Sequence, residues 1–352
     1  MDKKIISGIQ QIGIGVSNVK EAWDYYRTQF GFDLKIFEEA AEAALMLPYT
    51  QNEVRSRHAI LAYNIRGGGG LEIWQYTGRT PQAIGFEIKM GDLGIFANKM
   101  RSPDVDRSYE AFKSSKQNLL GEVQRDPLGR KSFWMKDPYG NVIQVVEDSY
   151  ELKATKHHMG GSLGCAIGVK NIEDSIKVYK DILEYDEVSF DESASFDDIQ
   201  MNGGDAKVRR VILRHSKPRA GFLSPIFGPS EIELYELEAH DGKEIFEGRD
   251  WGDLGYIHLC YDIRGMQELK AECESKGFPF TVESNPDFDM GEAAGQFSYI
   301  DAPESTLVEF VETHKIPMIK AIGWNLNLAK RDPKKPMPGW FFAALNMMRT
   351  KN

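Results

Sequence analysis

The stretch IGIGVSNVKEAWDYY, Ile12 to Tyr26, returns later in the chain as CAIGVKNIEDSIKVY, Cys165 to Tyr179. Fainter copies begin at GFEIKMGDLGIFANKM, Gly85 to Met100, and at HLCYDIRGMQELKAEC, His258 to Cys273. Each copy reads as an alternating apolar strand, a short polar turn, and a helix with apolar residues every three or four positions. Each also ends in a second strand behind a Gly or Pro turn: LEIWQY (Leu71–Tyr76), NVIQVVE (Asn141–Glu147), EIELYELE (Glu231–Glu238) and TLVEFVE (Thr306–Glu312). Between opening helix and closing strand there is room for two more strands. The repeat is therefore β-α-β-β-β, and four of them predict an α+β fold with helices segregated to one face of mixed sheets.

The predicted organisation is two paired-module domains, 1–150 and 162–314, joined by a linker at 151–161 and followed by a partly helical tail at 315–352. His157 and His158 fall in the linker, where solvated side chains are expected. From Thr313 onward the chain carries a net charge of +7, which leaves −17 on the rest. The final run PMPGWFFAALNMMRTKN combines apolar and basic residues. A terminal helix docked on the acidic body is expected, with an interfacial membrane helix as the alternative.

The 352 residues carry a formal charge of −10, with 41% apolar and 27% charged residues. This is the composition of a soluble globular protein and argues against a nucleic-acid surface, which would show a basic stripe. Three cysteines without metal-binding spacing fit a reducing compartment, and no run reaches the length of a membrane span. A cytoplasmic protein acting on a small molecule, as monomer or homodimer, is expected.

Alternate residues of a strand share a face. If Ile12, Ile14 and Val16 pack on the helix, Gln11, Gly13 and Gly15 face the hollow of the sheet. By the same alternation Glu72, Trp74 and Tyr76 face it from the first closing strand. His258, Cys260 and Asp262, then Glu309 and Val311, face it from the fourth copy. A carboxylate in a hollow is costly unless paired or metal-bound. Two carboxylates, an imidazole and an amide suit a borderline to hard divalent ion: zinc, nickel, cobalt, manganese or iron(II). The corresponding places are Ala83 and Gln144 in the second copy and Gly164 and Glu233 in the third. Arg209, Arg210 and Arg214 are expected to pair with surface acids. Gly67 to Gly70 is expected to be a flexible hairpin.

HLCYDI followed by YIDAPESTLVEFVE, together with DPYGNVIQVVE, is similar to the motifs of the vicinal oxygen chelate superfamily, which includes glyoxalase I and the extradiol dioxygenases. The resemblance covers about residues 8 to 312. It implies four βαβββ modules paired into two cup-shaped sheets with helices outside, one cup holding a divalent metal. Sequential pairing of modules implies the ligands His258, Glu309 and Glu233. Swapped pairing, one with four and two with three, implies Gln11, Glu72, His258 and Glu309, a complete set resembling that of glyoxalase I, and this completeness favours it. The implied activity is that of a metal-dependent lyase or isomerase acting through an enediolate, with Glu309, or else Glu72, shuttling the proton. An iron(II) dioxygenase and a non-catalytic binding protein are the alternatives. Gly15, Tyr76 and Leu254 stand where a glyoxalase would hold glutathione with Arg, Asn and Arg. Gly164 stands where an extradiol dioxygenase would have its first histidine.

Overall fold

The polar residue that the repeat keeps between strand and helix is the helix N-cap. The side chain of Asn18 accepts from the Lys20 and Glu21 N–H groups at 3.1 and 3.3 Å. Asp104 and Asn171 cap the second and third helices in the same way. The first helix ends at Gly31, whose φ of 74° permits the left-handed turn that returns its N–H to Arg27 O. Val19, Ala22, Tyr26 and Phe30 form its buried stripe, and each large side chain contributes about 1.5–3 kcal/mol by leaving water.

The computed structural model describes residues 4–239, 241–286, 288–290, 293–319, 324–328 and 331–350. Module one is β1 (Ile5–Gly15), α1 (Val19–Phe30), β2 (Leu34–Glu42), β3 (Ser56–Tyr63) and β4 (Gly70–Tyr76). Module two is β5 (Gly94–Ser102), α2 (Val105–Ser114), β6 (Asn118–Leu119), β7 (Gln124–Arg125), β8 (Lys131–Lys136) and β9 (Val142–Glu147). Module three is β10 (Ser162–Gly168), α3 (Ile172–Ile176), β11 (Glu187–Ala194), β12 (Val208–Arg214), α4 (Ser224–Phe227) and β13 (Glu231–Leu237). Module four is β14 (Gly255–Arg264), α5 (Met266–Ser275), β15 (Val282–Glu283), β16 (Phe288–Met290), β17 (Ala293–Asp301) and β18 (Leu307–Ile319). The tail adds β19 (Trp324–Asn327) and α6 (Gly339–Met347).

Two curled mixed sheets result. One runs β15-β17-β18-β14-β1-β4-β3-β2, with β16 on β17 and β19 on β18; the other runs β11-β12-β13-β10-β5-β9-β8-β6, with β7 on β8. Module one therefore joins module four through the antiparallel pair β1–β14, and module two joins module three through β5–β10. The pairing is the swapped one. Consequently the halves 1–150 and 162–314 each divide between both sheets, and neither half forms a cup of its own.

Three local expectations change. The second module opens at β5, so GFEIKM is loop, and the second-copy position aligned with Gln11 is Ala97 rather than Ala83. In the parallel pairs, Gly13 stands opposite Glu72, Cys260 opposite Glu309, Ala166 opposite Glu233, and Lys99 opposite Gln144. The aligned position precedes each of these by two residues. The 151–161 segment is packed rather than solvated: the His157 and His158 rings stack at 4.7 Å, and His157 Nδ1 accepts from Met159 N–H. Gly67–Gly70 seals the junction of the two sheets. Gly68 has φ +95°, and a Cβ there would sit 2.6 Å from Arg101 Nε.

Candidate metal centre and its cavity

Four of the five residues singled out from the sequence meet at the floor of the first sheet. Gln11 on β1 donates from Nε2 to Glu72 Oε2 at 3.2 Å. His258 on β14 places Nε2 3.3 Å from Glu72 Oε2 and 3.1 Å from Glu309 Oε2. The donor atoms of Glu72, His258 and Glu309 all lie within 4.8 Å of one another. The imidazole is fully buried, whereas the Glu72 and Glu309 side chains keep 12% and 9% of their surface open. The carboxylates thus form the interface between a sealed ring and the space above it.

Glycine makes this packing possible. A Cβ on Gly13 would fall 2.5 Å from His258 Cε1 and 2.7 Å from Nδ1. The ring lies against the bare backbone of β1, which explains the glycine at position 13, where the third copy has Ala166. Trp251 stacks nearly parallel to it, at 6.3 Å and 13°.

The polar atoms of this floor are under-satisfied. His258 Nδ1 and Nε2, Gln11 Oε1 and Glu309 Oε2 are buried without a hydrogen-bond partner among the described residues. A native interior rarely leaves so many buried lone pairs unpaired in one place. Burial disfavours the imidazolium, but Glu309 and Glu72 outweigh it and raise the His258 pKa to about 10. The floor therefore draws positive charge, whether a proton or a cation. One imidazole, one amide and two carboxylates are a donor set that a divalent ion fits.

Glu233 does not join them. It lies on the other sheet, paired with Lys99 and Arg210. Its neighbour Glu231 binds Lys99 at 2.6 Å, Arg130 at 2.9 Å and Arg214 at 2.8 Å. Burial alone would raise these carboxyls, but the surrounding cations hold both below their ordinary range. In the second cup the Lys99 ammonium takes the place of a cation, and Phe96, Trp134 and Tyr235 fill the remaining space. All three arginines pair with acids, but only Arg209 does so at the surface, with Asp191 and Glu173, and the acid that Arg214 holds, Glu231, is buried. Arg210, however, is wholly buried, on Asp198 and Glu233.

Above the floor is a cavity of about 240 Å³. Trp74, Trp251, Phe297, Tyr299 and Met46 form its inner walls, and Val311 faces it as the alternation predicts. Tyr76 instead turns its hydroxyl to Trp251 O. Tyr299 is the most informative residue not singled out from the sequence. Burial first, then the charge of Glu309, keeps its hydroxyl protonated, and it stands opposite Glu309 on the neighbouring strand. The alternation of Phe297 and Tyr299 ahead of the Asp301-Ala302-Pro303 turn was the available signal. Trp251 sits in a loop and left no periodic trace. The docked tail is also observed: Phe341 and Phe342 of α6 are buried, and Phe341 and Leu345 line the cavity. No helix of the described residues is long and apolar enough to cross a membrane.

Residues 8–145 match the profile of the glyoxalase/bleomycin resistance protein/dioxygenase superfamily. The match covers less than half of the chain and is a likeness to that superfamily. Over most of its length the chain has the fold of solved glyoxalase structures. Glyoxalase I from Zea mays superposes with a TM-score of 0.55 at 13% identity, over 88% of this chain and 92% of that one. A presumptive dioxygenase from Bacillus subtilis superposes with a TM-score of 0.58 at 12% identity, over 88% and 86%. No protein of curated function matches the sequence. At such identities the superfamily likeness is one of fold, and the chemistry has to be argued from the floor itself.

Proposed function

We propose that this protein is a metal-dependent lyase or isomerase of the glyoxalase kind, acting on a small substrate with two neighbouring oxygens. Gln11, Glu72, His258 and Glu309 would hold one divalent ion. The observation that carries this reading is the convergence of buried, unpartnered donor atoms from these residues on one point. When bound, such an ion supplies Lewis-acid stabilisation of an enediolate.

The chain's own residues account for the rest. Glu309 presents a carboxylate oxygen without a hydrogen bond at the edge of the cavity. It is placed to take a proton from the substrate carbon beside a carbonyl and return it to the next carbon. Tyr299, opposite it on the neighbouring strand, would pack beside it. Glu72 receives the Gln11 amide and is therefore the poorer base. Trp74, Trp251 and Phe297 exclude water from the reacting carbons. The register argues against the dioxygenase alternative, because Gly164 faces the other cup and brings no second histidine to this one.

The test is solvent deuterium incorporation, followed by proton NMR, into a panel of α-hydroxyaldehydes and α-hydroxyketones. The wild type should label the carbon beside the carbonyl of at least one member, and Glu309→Gln should not. Equal labelling by both proteins would remove Glu309 as the base. Metal-independent binding with no labelling by either would favour a binding protein.

A further inference from the structure

The tail lies outside the four modules, yet it builds part of the cavity. Phe341 and Leu345 project from α6 into its wall. A helix of nine residues is marginal by itself, and this one is clamped at both ends. Before it, Met337 N–H donates to Phe222 O at 2.8 Å. After it, Arg349 grips the Asp33 carboxylate through Nε at 2.8 Å and Nη2 at 2.6 Å, and Thr350 N–H donates to Asp33 O at 2.8 Å. Apolar contacts to Leu34, Leu61 and Ile226 complete the seat. The helix is thus a fixed wall.

The charge of the cavity points the same way. Among the described residues that line it, Arg57 is the sole cationic one, and its guanidinium is taken by Glu39, at 2.8 Å to Oε2 and 3.1 Å to the backbone O. Glu42 adds a further negative charge near the rim. At the far end from the floor, a carboxylate or phosphate on a substrate would find acids and, among the described side chains, no free cation to pair with.

We propose that α6 is the specificity wall of this site, selecting an uncharged substrate whose apolar body reaches from the two-oxygen head to Phe341 and Leu345. Only the placement of the head rests on the function proposed above; the wall is argued from α6 and the rim charges.

The experiment compares two catechols, chosen because both carry neighbouring oxygens and differ only at the far end. Binding of 4-butylcatechol and 3,4-dihydroxybenzoate is titrated by quenching of tryptophan fluorescence, since Trp74 and Trp251 line the cavity. The wild type should bind the butyl compound at least about tenfold more tightly. Leu345→Ala should weaken the butyl compound several-fold and leave the carboxylate unchanged. Leu345→Lys should bring the ratio to one or reverse it, and near-UV circular dichroism reports whether α6 stays seated; if it does not, Leu345→Ala decides. Equal affinities in the wild type, or a ratio that Leu345→Ala leaves intact, would overturn the proposal. Both titrations are repeated after metal removal. Common weakening at an unchanged ratio supports head and wall together. Affinities indifferent to metal would count against the metal reading and leave the wall to be judged on the ratio.

Discussion

Nε2 of His258 lies 3.1 Å from Oε2 of Glu309, on the neighbouring parallel strand, and that oxygen has no hydrogen bond among the described residues. The approach is close enough for charge pairing and misaligned for proton sharing. Such a contact is what two ligands show when each is oriented toward a third body.

Its pH dependence follows. In metal-free protein burial disfavours the imidazolium, but Glu309 and Glu72 raise the His258 pKa from 6.5 to about 10. A raised pKa stabilises the fold fully below pH 6.5, and that contribution fades as pH rises toward 10. A metal requires the neutral ring, so its affinity should run the other way, rising about tenfold per pH unit up to pH 9. Competition for zinc against a chromophoric chelator measures this directly. An affinity independent of pH would mean that the imidazole is not displaced from its proton on binding.

Gly13→Ala should damage the site without touching a ligand. The new Cβ would sit 2.5–2.8 Å from three ring atoms of His258. The imidazole has to move, and metal affinity should fall by about tenfold or more, as when an orienting partner is lost. Gly85→Ala, with nothing within 4 Å of its Cβ, is the control and should leave affinity intact. The same chelator competition reads both.

The second cup should respond in the opposite sense. Lys99→Met leaves Glu231 and Glu233 facing each other with fewer cations and should cost roughly 3–5 kcal/mol of stability, seen as a lower urea midpoint. Metal content should not change. The same carboxyls are held below their usual 4.5, so the wild type should keep their contribution above pH 4.5 and lose it as pH falls further. A Lys99→Met protein that loses its metal while still folded would show that the two cups are coupled.

Much of this arrangement was legible in the chain because period two and a repeated polar cap leave clear traces. Gln11, Glu72, His258 and Glu309 fell on inward positions by alternation alone. The second module was misread because β5 is buried on both faces and does not alternate. Its Asn98, Lys99 and Arg101 look like the exposed face of a helix. The burial of Lys99 and Arg101 depends on Glu231, Glu233, Asp148 and backbone oxygens brought in by other strands, which local pattern cannot reveal. Glu233 was misjudged for the same reason: inward depth was readable, but not which cup, nor that an ammonium already stood beside it. The reach of α6 to the cavity came from tertiary packing, since the tail's composition gave its docking but not its place.

The central claim is that residues from both ends of the chain hold one divalent ion. Elemental analysis of purified wild type, Glu72→Gln, His258→Ala and Glu233→Gln tests it most directly. The prediction is one equivalent in the wild type and in Glu233→Gln, with loss in Glu72→Gln and His258→Ala. A full equivalent retained by folded Glu72→Gln and His258→Ala, or lost in folded Glu233→Gln alone, would contradict it.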